Sequence, residues 1–124
     1  MSQVKVKSFK NVLGDVRKNV EIECFEEALI PEAEEICLII AEVMMLPSEA
    51  VVRIGGTELP QPLVAEIYSR LTCEHVRAVI DKFSRAGYRI KHKKTYLRTA
   101  LYNEVFEHES GFINEFAKFF NRVE

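Results

Sequence analysis

PEAEEICLIIAEVMMLP, residues 31–47, carries the fold. Pro31 suits a first helical turn, where its missing N–H is no loss, and Glu32, Glu34 and Glu35 set negative charge against the positive end of the helix dipole. The ICLIIA run at 36–41 is apolar nearly all round, so this helix is expected to be the central, most buried element, running to about Leu46. Pro47 ends it. The run is interrupted by Glu42 and falls well short of the roughly 20 apolar residues needed to cross a bilayer.

Downstream, Val51, Val52 and Ile54 precede Gly55-Gly56, and Thr57, Glu58 and Leu59 follow. A Gly-Gly pair between two β-prone runs suits a two-residue hairpin turn, with an irregular loop held down by Ile54 and Leu59 as the alternative. IGGTEL has neither of the glycine spacings of a phosphate-binding loop. Pro62 opens a second helix whose Val64, Ile67, Tyr68 and Leu71 form one buried stripe. Thr72 is a natural N-cap for a third, with Glu74 in its first turn and Val76, Val79, Ile80 and Phe83 repeating the stripe; Gly87 is its stop. Arg77, Lys82 and Arg85 fall outside that stripe, toward solvent. Thr95 can cap a fourth helix carrying Leu97, Ala100, Leu101 and Val105. After Ser110-Gly111, Phe112, Ile113, Phe116, Phe119 and Phe120 give a last helix an aromatic face.

Upstream, residues 1–18 are polar, lysine-bearing and broken by Gly14, with only Val12 and Val16 as apolar spacing, and read as a linker or N-terminal arm, with a short helical turn as an option, ahead of a helical domain at 19–124. VEIECF at 20–25 fits either a short extended segment or the lead-in to a helix. The fold class expected is mainly α, a compact bundle of about five helices with a candidate short β-hairpin.

A chain of 124 residues that is 48% hydrophobic supports one domain with a real core. No apolar segment follows Lys5, Lys7 and Lys10, so no signal peptide is expected and the cytoplasm is the expected compartment. Cys24, Cys37 and Cys73 are odd in number, far apart and without a CxxC pair, which suits apolar fillers better than disulfides or zinc. His75, His92 and His108 are isolated from one another, and Cys73 and His75 lie two apart, on different faces of a helix. No converging catalytic set emerges, and a non-enzyme without cofactor or metal is expected.

The formal net charge of −2 hides an asymmetry: seven glutamates and no basic residue in 21–35, against seven Lys or Arg and one Asp in 81–98. Lys82, Arg85, Arg89, Lys91, Lys93, Lys94 and Arg98 lie along a helix end, a connection and a helix start, a layout able to converge on phosphates, and Tyr96 among them suits base stacking. These eight residues are the DNA-binding candidates. Tyr102, Phe112, Phe116, Phe119 and Phe120 are the partner-binding candidates, since exposed aromatic faces mark interfaces.

EAEEICLIIAEVMM, VVRIGGTELPQPLVAEIYSRLTCEHVRAVIDKF and IKHKKTYLRTALYNEVFE together resemble the C-terminal domain of the replication initiator A family of plasmids and mobile elements in low-GC Gram-positive bacteria. The resemblance covers roughly Asn19 to Phe120, in order. It implies a domain similar to the C-terminal domain of the DnaD primosome protein, serving in host replisome recruitment with primase or helicase-loading factors as partners. DnaD-like domains carry a tyrosine-led helical motif, Y-x-x-x-I followed by an aromatic, associated with DNA binding; Tyr96, Ala100 or Leu101, and Tyr102 are the positions that match. That family's winged-helix domain has no counterpart in these residues, so origin recognition is not implied for them.

Two functions follow as expectations. One is a non-enzymatic replication-initiator accessory domain that recruits host replication proteins, with DNA as a candidate second partner through the basic segment. The other is a protein-binding or oligomerisation domain, a homo-oligomer included, that touches no nucleic acid and uses the Glu21–Glu35 face and the aromatic last helix.

Overall fold

A computed structural model of the chain describes residues 8–108, apart from the side chains of Tyr88 and His108. The elements run α1 (Phe9–Asn19), α2 (Ile30–Met44), β1 (Val51–Ile54), β2 (Thr57–Pro60), α3 (Gln61–Tyr68), α4 (Cys73–Ala86) and α5 (Lys93–His108), with 3₁₀ turns at Ile22–Cys24, Glu27–Leu29 and Gly87–Arg89. The architecture is mainly helical, five helices and one antiparallel hairpin around a single core.

Helix α2 lies at the centre, as its all-round apolar run requires. Ala33, Ile36, Cys37, Ile39, Ile40, Ala41 and Val43 are buried, and α1, α3, α4 and α5 all pack on it. Cys37 behaves as a core filler, its thiol pushed up to about 12 by burial first and by the nearby Glu34 second.

The hairpin forms as the glycine pair demands. Gly55 and Gly56 have φ of 58° and 87°, the left-handed conformation that both central residues of a type I′ turn require. The register sets Val52 opposite Leu59 and Arg53 opposite Glu58, with Val52 and Ile54 turned into the core. The Gly55 N–H donates to Thr99 Oγ1 at 3.0 Å, which ties the turn to α5. At the end of α2, Gln61 is buried and donates from Nε2 to the Val43 carbonyl at 3.0 Å, satisfying one of the carbonyls a helix terminus leaves open.

Thr72 and His75 form a capping box at the start of α4: the Thr72 side chain accepts from the third helical residue, and the His75 ring accepts from the Thr72 N–H at 2.9 Å. His75 is thus a buried cap. Helix α5 begins at Lys93, two residues before Thr95, because the His92 carbonyl already accepts from the Tyr96 N–H. Leu97, Leu101 and Val105 form its buried stripe.

One expectation is corrected. The supposed arm at residues 1–18 is, from Phe9 onward, helix α1, capped by the Ser8 side chain accepting from the Asn11 N–H. Val12, Val16 and Val20 recur every four residues, and Val16 and Val20 are buried with Val12 and Leu13 packed beside them. A boundary at residue 19 cuts this stripe, which is why it is invisible from either side. VEIECF resolves toward the helix lead-in: Ile22–Cys24 is a 3₁₀ turn entered through Glu21 at φ 54°. The aromatic last helix expected from Phe112 onward lies outside the described residues, so the fifth helix is α1.

Val16→Ala is therefore expected to destabilise the fold by about 1–3 kcal/mol in urea denaturation, where a true arm would show no change. His75→Leu, which leaves the Thr72 N–H without its acceptor, is expected to cost ~1 kcal/mol, and His75→Gln, able to reach back to the same N–H, to recover most of it.

Candidate functional site

The seven cations expected at phosphates gather along the end of α4, the following 3₁₀ turn and the start of α5. Four of them prove to be held by carboxylates of the same chain. Lys93 Nζ lies 2.9 Å from Glu35 and 3.6 Å from Glu32, and sits 4.8 Å over the Phe83 ring. Lys94 pairs with Glu42 at 2.8 Å. Lys82 bridges Glu104 at 2.9 Å and Glu107 at 2.7 Å, and Arg85 pairs with Asp81 one turn back on α4.

At the paired lysines, carboxylates outnumber the cations they hold. Lys93 and Lys94 face Glu32, Glu35 and Glu42, two positive against three negative. Lys82 faces two carboxylates alone. In sequence Glu32 and Glu35 oppose the positive end of the helix dipole and Glu42 interrupts the apolar run; folding brings all three against α5. Hydrogen bonding to Glu107 and then Glu104 raises the Lys82 pKa, and bonding to Glu35 does the same for Lys93. A raised folded pKa means that this stabilisation is fully present below the ordinary lysine value and is lost as pH rises through the folded one.

The other candidates divide. Arg89 and Lys91 are exposed on the connection. Tyr96 is half-buried, its ring tilted 6.0 Å from Phe83 and packed against the core while lining the cleft beside Lys82. Arg98 is half-buried: its carbonyl accepts from the Tyr68 hydroxyl at 2.7 Å, and its Nε is buried without a hydrogen-bond partner. Tyr102 is half-buried and pairs with Phe106 at 5.2 Å, both rings packed against the core with part of their surface open. Phe112, Phe116, Phe119 and Phe120 lie outside the described residues.

Sequence reasoning missed Glu104 and Arg77. Glu104 is buried, 2% exposed, and lines a cleft of about 180 Å³ with Lys82, Tyr96, Thr99, Ala100, Asn103 and Glu107. Glu104 and Glu107 are three apart on one helix, a spacing that places both on a shared face, but nothing local says that Lys82 meets them. Arg77, expected to face solvent, instead donates to Glu26 at 3.0 Å and to the Cys24 carbonyl at 2.8 Å while lying 4.9 Å over the Phe25 ring, clamping the 3₁₀ connection onto α4. A second, larger cavity of about 470 Å³ lies between α1 and that connection, lined by Gly14, Arg17, Lys18, Glu21, Ile22, Glu23 and Cys24.

Among the described residues, no group of three or more His, Cys, Asp or Glu is placed to hold a metal ion, and no helix is long and apolar enough to cross a membrane. The family model that matches the chain spans residues 1–119 and is described as a family of unknown function, DUF6017. The chain belongs to that family. Its match takes in α1 and every other described element, so the helix upstream of residue 19 falls inside the family's own boundaries. No curated protein and no solved structure matches the chain.

Removing Lys82 takes a charge partner from the buried Glu104 carboxylate, whereas replacing both residues removes the carboxylate as well. Lys82→Met is expected to destabilise the domain by about 1–3 kcal/mol, and Lys82→Met combined with Glu104→Leu to recover part of the loss. Denaturant midpoints of the two single variants and the double variant check this.

Proposed function

We propose that the chain is a non-enzymatic accessory domain of a replication initiator, acting in the cytoplasm by recruiting host replication proteins such as a primase or a helicase-loading factor. The replication context rests on the resemblance of IKHKKTYLRTALYN and its upstream blocks to the initiator A C-terminal domain. Within that context, one observation favours protein contact over a phosphate grip: Lys82, Arg85, Lys93 and Lys94 already have carboxylate partners in this chain. A phosphate-binding surface gains its affinity by releasing counterions from cations that are open to it. Cations neutralised in place contribute little of that. The Tyr102–Phe106 couple supplies the kind of aromatic surface that protein partners use.

A second reading, direct DNA contact, is favoured by exposure. The side chains of Lys94 and Arg85 are 56% and 69% exposed, and Arg89 and Lys91 between them are exposed as well. Exposed ion pairs are weak and can exchange partners.

Fluorescence anisotropy on labelled single-stranded and duplex DNA, run beside biolayer interferometry on primase and helicase loader from the same host, separates the readings. The expected result is binding to one host protein that changes little with salt, and no DNA complex at tens of micromolar in about 150 mM salt. DNA binding that falls steeply with salt and is lost in Lys91→Glu, Lys93→Glu, Lys94→Glu would put the second reading first. Failure to bind any host replication protein would overturn recruitment.

A further inference from the structure

We infer that the glutamates of α2 form an autoinhibitory contact, occupying the lysines at the start of α5 in the place a nucleic-acid phosphate would take. This goes beyond recruitment and rests on the second reading, in which the basic segment meets DNA. Glu35 and Glu42 present carboxylate oxygens to Lys93 and Lys94 at 2.9 and 2.8 Å, with Glu32 behind them at 3.6 Å. Those are the distances at which a phosphate oxygen would bind the same ammonium groups.

A phosphate arriving here meets two obstacles. It must displace the carboxylates already bonded, and it must then sit beside three negative charges well inside the Debye length of about 8 Å at physiological ionic strength. Displacement is the smaller one. The pairs are between one-third and three-fifths exposed, weak enough to exchange. The excess negative charge is the larger one, because it persists after the lysines let go. The three glutamates lie on α2 and the two lysines on α5, so the contact joins two helices and is set by the fold. Lys93 is held further by the Phe83 ring at 4.8 Å, whereas Lys94, 56% exposed and paired with Glu42, would be the first to turn outward.

The test uses the full chain with Glu32→Gln, Glu35→Gln, Glu42→Gln, and a quintuple variant adding Lys93→Gln and Lys94→Gln. Thermal unfolding by circular dichroism comes first, and Glu42→Gln alone serves as the milder variant if the triple one fails to fold. Anisotropy with a labelled single-stranded oligonucleotide and a duplex is then measured across a salt series. The triple variant is expected to bind about 10-fold more tightly than wild type at low salt, with a log–log salt slope steeper by about two on duplex, one counterion for each lysine released. The quintuple variant is expected to lose that gain.

Equal binding by wild type and triple variant would overturn the inference while leaving DNA contact in place. A gain that survives in the quintuple variant would also overturn it, since net charge alone would then be responsible. No DNA binding by either protein would end both the inference and the second reading, without touching recruitment, which the host-protein measurement decides separately.

Discussion

Helix α2 has almost no face left for water. Seven of its fifteen residues are buried, and four other helices close over it. Most of the remaining structure follows from the need to cover it. Helix α1 lays its valine stripe along one side, Gln61 at the start of α3 donates to the Val43 carbonyl near the C-terminal end of α2, and α4 and α5 cover the rest. Burial of this kind is the dominant favourable term in folding, and each fully buried Ile or Val contributes about 1.5–3 kcal/mol relative to exposure. Leu38, the one large apolar residue of α2 among those prominently exposed, sits between the glutamates at 34, 35 and 42.

Those glutamates are where the core meets the charge pattern. A central helix can show water only narrow strips, and α2 fills its strips with carboxylates. Each then finds a cation on a neighbouring helix: Arg17 on α1 meets Glu34, and Lys93 and Lys94 on α5 meet Glu35 and Glu42. Through Glu32 and Glu35, Lys93 joins the basic stretch at 81–98 to the acidic stretch at 21–35. Individually such exposed pairs contribute little to stability. Collectively they decide what the surface offers a partner, because a cation with a carboxylate beside it attracts a phosphate far less than an isolated one.

The motif-bearing helix α5 shows the same double use. Leu97, Leu101 and Val105 are core, Thr99 holds the hairpin turn, and the Arg98 carbonyl receives the Tyr68 hydroxyl, whose pKa burial pushes well above its ordinary value. Much of what makes TYLRTALYN distinctive is thus spent on holding the domain together. The first-turn lysines of α5 face the glutamates of α2, and the Tyr102–Phe106 couple is half-buried beside the core. Each is placed by the buried stripe beneath it.

Local chemistry determined what can be decided within a few residues. The all-round apolar run announced α2, glycines with no side chain to clash announced the type I′ turn, and Thr72 announced the start of α4. The period of Val64, Ile67 and Tyr68 announced the inward face of α3, while Leu71, expected on the same stripe, is buried beyond the helix end. The valine stripe of α1 runs on to Val20 and is interrupted by polar neighbours and Gly14, so its period does not stand out within residues 9–19 alone. Tertiary structure alone decided which charges meet. Glu35 and Lys93 are 58 positions apart, and Lys82 and Glu104 are 22. Electrostatic attraction acts through space, and a side chain's sign in sequence says nothing of which opposite charge the packing of two helices will set beside it. Whether a basic run is a surface for phosphate or one side of a seam is therefore settled only when the helices dock.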